Sequence, residues 1–247
     1  MIRAKHNSLY VRFFDWIMGR LLKGHFRSIH IESNLEDQTE SRLKDQGGPV
    51  LLIANHFSWW DGFLVRYTVT KTLKKKVFVM MLEEELSKHP FLRKVGAFSI
   101  KRNSRSAAES IQYARQILEN PDHLLLIFPQ GQFQSLHQYP LDFEEGWFRI
   151  LEGAPENTRV VFLAALTDYF ASRRPGLYIH MDDGCRYSYA GRSSGSAGTD
   201  SGKSDIEPGN ATGCYESGGF KSPKEVESAY NLFLKKAIQQ QNQQANR

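Results

Sequence analysis

Three short stretches carry side chains capable of chemistry, and each follows an apolar run. In NHFSWWD, residues 55–61, His56 stands five positions before Asp61. A histidine takes a proton from a hydroxyl near neutral pH, and an acid on its other ring nitrogen fixes the tautomer and stabilises the imidazolium. Five positions suit a turn entering a helix, where the first residue folds back over the helix start. The plain alternative is that Asp61 only caps that helix. Ser58 is the rival nucleophile, but it has no Gly-x-Ser-x-Gly turn. In GAFSIKR, residues 96–102, a strand delivers Lys101 and Arg102 at its end, and a guanidinium binds phosphate bidentately. Solvated surface cations are the alternative there. In FPQGQ, residues 128–132, Pro129 and Gly131 make a tight turn whose backbone N–H groups can hold an oxyanion or a phosphate. An ordinary strand-ending turn is the competing reading.

The elements that must position these groups are short apolar runs alternating with helical stretches. PVLLIA (49–54), VFVMM (77–81), AFSI (97–100), HLLLIF (123–128), RVVFLAA (159–165) and GLYIH (176–180) read as strands, and 104–119 reads as a serine-capped helix. This alternation predicts an α/β fold, a single domain with a largely parallel central sheet flanked by helices. In such sheets ligands gather beyond the carboxyl ends of the strands, which is where all three stretches fall. Ahead of the sheet, SLYVRFFDWIMGRLLKGH (8–25) predicts an N-terminal amphipathic helix with Leu9, Phe13, Ile17 and Leu21 at helical spacing. Tyr10, Phe14, Trp16 and Leu22 widen its apolar side, and Arg12, Arg20 and Lys23 add positive charge. Two readings are open: a helix lying in a membrane interface, or one docked on the protein's own core. The chain divides into this helix region (1–30), an α/β domain (31–190), a flexible Gly/Ser-rich loop (191–221), and a helix beginning near Ser222, ending about Gln239 and followed by a frayed tail (222–247).

At 247 residues and 40% hydrophobic content, the chain can bury one sizeable core. A net charge of +5 attracts anions, whether nucleic acid, acidic lipid headgroups or a phosphorylated molecule. Helix-turn-helix, zinc-ligand and RNP-like patterns are missing, which turns the reading away from nucleic acid. Two cysteines, Cys185 and Cys214, form no metal or redox pattern and suit a reducing compartment. No run approaches the roughly 18 apolar residues of a membrane span. The N-terminus lacks the apolar core of a secretory signal, so a cytoplasmic location is expected.

The order of the three stretches says more than any one of them. His-x4-Asp, then Gly-x-Phe-x-Ile-x-Arg, then Phe-Pro-x-Gly resembles the glycerolipid acyltransferase family, membrane-associated enzymes typified by lysophosphatidate acyltransferases. Asn55, His56 and Asp61 match its first block, Gly96 to Arg102 its second, and Phe128 to Gly131 its third. Gln130 and Gln132 stand where the family usually has glutamate and threonine, and the fourth apolar block, at 160–165, lacks its usual proline.

The resemblance implies transfer of an acyl group from acyl-CoA or acyl-carrier protein to a hydroxyl of a lipid acceptor, with the thioester as substrate and neither cofactor nor metal. His56 would be the general base and Asp61 its orienting acid. Backbone N–H groups near Gly131 would stabilise the oxyanion. Arg102, with Lys101, would hold an anionic part of the acceptor or of the donor. Asn55, Gly96, Phe128, Pro129, Gln130 and Gly131 would line the substrate site. Trp59 and Trp60 suit an acyl-chain entrance or a membrane interface, with core packing as the alternative. The expected partners are a membrane surface, bound monotopically at its cytoplasmic face, the acyl donor and the lipid acceptor. An acyl thioesterase and an inactive lipid-binding relative are the competing functions.

Overall fold

The computed structural model describes residues 1–35, 48–102, 106–185 and 219–245. Most of the expected loop at 191–221, Cys214 and the serine cap proposed near residue 104 lie outside them. Seven strands form one sheet: β1 (Ser28–Ser33), β2 (Val50–Ala54), β3 (Lys76–Leu82), β4 (Ala97–Ile100), β5 (His123–Ile127), β6 (Arg159–Asp168) and β7 (Gly176–Asp183), in the order β1-β7-β6-β2-β5-β3-β4. Only the β6–β7 pair is antiparallel. Strands β2 to β6 therefore share a direction, and their carboxyl ends open on one edge of the molecule. Every residue of β2, the central strand, is buried, as a strand covered on both faces requires.

One face of the sheet is covered by α4 (Ser106–Leu118), α5 (Phe148–Glu152) and α6 (Pro223–Ala245). The other is covered by α1 (Ser8–His25) and α2 (Asp61–Thr72), with α3 (Glu83–Lys88) and a 3-10 turn (Pro90–Val95) beside them. The expected fold class is the observed one. The sequence reading passed over β1, whose SIHIES is half-buried at the sheet edge and carries little alternation. It also ended the last helix too early. Helix α6 runs on to Ala245 because Val226, Ala229, Tyr230, Phe233, Leu234 and Ala237 repeat at helical spacing and enter the main core, and Gln241 is buried too.

Helix α1 docks on the protein's own core by one face and leaves another exposed. Phe14 and Leu22 are buried, and Asp15 accepts two hydrogen bonds from the guanidinium of Arg66 on α2, at 2.6 and 3.0 Å. That bidentate pair fixes the docked face. Leu9, Phe13, Trp16 and Leu21 remain exposed, Leu9 to 78%. No helix among the described residues is long and apolar enough to cross a membrane.

Candidate active site

The loop after β2 is built around Asp61. The helix cap is Trp60, which makes no side-chain capping bond, so Asp61 is free to reach back over the turn. Its Oδ2 accepts from Nδ1 of His56 at 2.9 Å and from the backbone N–H groups of Phe57 and Ser58 at 2.7 and 2.8 Å. An oxygen receiving three donors is an acceptor, so His56 carries its proton on Nδ1 and presents Nε2 as the basic nitrogen. Asp61 is fully buried, and Oδ1 has no partner among the described residues. Burial pushes its carboxyl above the usual carboxylate range, and the bonds from His56, Ser58 and Phe57 pull it back. The helix-cap reading of Asp61 therefore fails: the carboxylate orients an imidazole.

Asn55 anchors the same turn. Its side chain donates to the Ala165 carbonyl at 2.9 Å and accepts from the Ala165 N–H at 2.8 Å, tying the end of β2 to β6. His56 is then sandwiched between Phe128, nearly parallel at 4.2 Å, and Phe133, tilted at 4.3 Å. Its side chain keeps 21% exposure, enough for a substrate to reach it.

The turn after β5 comes to the same place. Pro129 and Gln130 are buried beneath His56, and Gln130 Oε1 accepts the His56 backbone N–H at 2.6 Å. Gly131 adopts φ +67°, which an L side chain resists, and its carbonyl accepts from Arg102 Nη2. Its own N–H is spent on the Phe128 carbonyl at 3.1 Å, closing the turn. The Gly131 amide is therefore already bonded and does not offer the free N–H that an oxyanion role would need. Arg102 also faces Glu144 at 3.6 Å, so the second and third stretches meet through one guanidinium.

Other expected residues sit farther from the histidine. Lys101 lies within electrostatic reach of Glu83, at the outer end of β3. Gly96, at φ +107°, ends the 3-10 turn, and a Cβ there would overlap the Val77 carbonyl and the His6 ring. Its glycine thus has a backbone cause. The two indoles differ: Trp60 is half-buried among His25, Trp59 and Phe63, whereas Trp59 is 43% exposed over Phe63 and His89.

Beside His56 a small cavity opens to solvent, with Gln134 on its polar wall and Leu136, Leu141, Leu166 and Leu234 on its apolar wall. Phe133, Gln134, Glu144 and Leu234 were missed in the sequence. Leu234 had a signal in the helical spacing of α6, but the other three stand in a stretch without periodicity. Behind the turn, the hydroxyl of buried Tyr230 donates to the Leu163 carbonyl at 2.8 Å.

A carboxylate-oriented imidazole between two aromatic rings, next to an apolar-walled cavity and a guanidinium, is equipped to deprotonate a hydroxyl beside a bound acyl group. Over 109 residues the chain is 29% identical to a 1-acyl-sn-glycerol-3-phosphate acyltransferase of Streptococcus pneumoniae (strain ATCC BAA-255 / R6), covering 42% of this chain and 39% of that relative. It thus spans about two fifths of that relative's length. The family model named acyltransferase matches residues 27–164, more than half of the chain and inclusive of all three stretches, and the chain belongs to the acyltransferase family.

Proposed function

We propose that the protein transfers a fatty acyl group from a thioester, acyl-CoA or acyl-carrier protein, to a hydroxyl of a lipid acceptor. The observation that carries this reading is the 2.9 Å bond from His56 Nδ1 to Asp61, which leaves Nε2 basic beside the cavity. The thioester is already activated, so the protein's tasks are alignment and proton removal. Nε2 of His56 takes the proton as the acceptor oxygen attacks the carbonyl, and the same proton goes to the departing thiolate. The N–H groups of Gln132 and Phe133, unlike that of Gly131, make no hydrogen bond among the described residues, and they are the donors for the oxyanion. The leucine wall holds the first part of the acyl chain. The remaining N–H groups of Arg102 meet the anionic part of donor or acceptor, and this path needs neither metal nor cofactor.

The pneumococcal relative's name supports a lysophospholipid acceptor and a place in phospholipid synthesis. The outward face of α1 supports binding to a membrane surface from the cytoplasmic side. Leu9, Phe13 and Trp16 lie on it beside exposed Arg12, Arg20 and Lys23, with the Arg20 guanidinium 5.5 Å from the Trp16 ring.

Purified protein is to be incubated with a long-chain acyl-CoA and a total lipid extract, with His56→Ala in parallel, and the products identified by mass spectrometry. A new ester made by the wild type alone supports the transferase and names the acceptor. Free fatty acid without ester points to a thioesterase. No turnover, with sedimentation on anionic liposomes, points to a lipid-binding relative. Full activity in a folded His56→Ala variant overturns the mechanism.

A further inference from the structure

The backbone of His56 is gripped on both sides by one loop. Its N–H donates to Gln130 Oε1 at 2.6 Å, and its carbonyl accepts the Gln134 N–H at 2.8 Å. The two glutamines are themselves joined, Gln130 Nε2 donating to Gln134 Oε1 at 2.6 Å. The direction of each bond follows from the first. A backbone N–H can only donate, so Gln130 must turn its oxygen to His56 and its NH₂ to residue 134. Gln130 is only 4% exposed, so that NH₂ has little recourse to water if residue 134 offers no acceptor. The ring through His56, Gln130 and Gln134 therefore closes only when residue 134 carries a side-chain oxygen.

We propose that Gln134 is a positioning residue for His56, acting through the Gln130 side chain and not on the substrate. The proposal rests on His56 being the base. Gln134 has a second contact with the turn through its backbone, which a side-chain substitution leaves in place, so the effect of its amide can be read separately. Without the acceptor at 134, Gln130 rotates to satisfy its NH₂ and releases the His56 N–H. The imidazole then keeps Asp61 but loses its set position relative to the cavity, and a misplaced base lowers the rate of the chemical step while leaving binding intact.

The test is steady-state kinetics in the acyl-CoA and lipid assay on Gln134→Leu, Gln134→Glu, Gln130→Glu and the double Gln130→Glu/Gln134→Glu, with thermal melting of each. For Gln134→Leu we expect kcat to fall about tenfold, with KM for donor and acceptor changed less than about twofold. Gln134→Glu keeps an acceptor oxygen and should recover most of that loss. The double variant sets two carboxylates against each other where amides now meet, and should fall well below the product of its two singles at neutral pH. Wild-type kcat in folded Gln134→Leu, a raised KM with unchanged kcat, or a double equal to the product of its singles would each overturn the proposal. If His56→Ala stays active, the base assignment fails and this proposal with it. If His56→Ala is inert while Gln134→Leu runs at the wild-type rate, only the positioning role fails.

Discussion

The turn after β2 and the turn after β5 meet at one imidazole, and they hold it by opposite means. The first uses a buried charge: Asp61 gathers three donors onto Oδ2 while Oδ1 stays unpartnered among the described residues. The second uses neutral groups, the amides of Gln130 and Gln134 and the ring of Phe128. A buried charge is expensive to keep and acts on the proton of the imidazole. Buried amides cost less once they are paired, and they act only on where the ring sits. On the proposed mechanism, the first turn orients the ring and tunes its proton, and the second holds the backbone that carries it.

Asp61→Asn should break the comparison most strongly. It leaves the shape of the turn and removes the charge that stabilises the imidazolium, so kcat should drop roughly a thousandfold. Stability should move the other way. A carboxyl whose folded pKa lies above its unfolded value costs folding energy once it is charged, and asparagine removes that cost. The variant should melt no lower than the wild type in calorimetry. A large fall in melting temperature would mean that Asp61 serves the fold first.

Gly131→Ala sharpens the neutral side. At φ +67° a Cβ is strained, and it would collide with the Arg102 guanidinium. We expect about 1–2 kcal/mol of lost stability by denaturant titration. The KM for an anionic substrate should rise more than kcat falls. An unchanged KM would take Arg102 out of substrate binding.

The smallest expected effect lies outside both turns and provides the baseline for pH experiments. His6 donates from Nε2 to the Val77 carbonyl and packs against Phe78, and burial, aided by Lys76 and Arg66, lowers its pKa to about 4. The unfolded chain takes up this proton below about 6.5 and the folded chain only below about 4. Stability should therefore decline as pH falls through that window, by about 1–2 kcal/mol after solvent screening of a partly exposed group. Melting temperatures of the wild type and His6→Asn between pH 7 and 4 check this: the variant's curve should be flatter.

Much of this molecule could be read directly. Strand β2 is buried throughout and β5 at every residue after His123, and an apolar run bounded by turn residues announces them without any partner. His56 and Asp61 were legible because their five-residue spacing is a local property of a loop entering a helix. Helix α1 was legible in its bounds but not in its orientation: the sequence spreads apolar residues around most of its circumference. Only Arg66 and the packing of Phe14 and Leu22 choose which stripe turns inward. Strand β1 escaped because an edge strand with one weakly buried face carries little pattern.

The sequence by itself determined which residues could do chemistry and that they stand at strand ends, because periodicity and loop spacing act over a few residues. The tertiary structure alone decided that Gln130 supports the histidine's backbone and that Leu234, on the last helix, walls the cavity. Each of those outcomes joins groups far apart in the chain. A hydrogen bond or a packed face of that kind exists only once the sheet has brought β2, β5 and β6 side by side.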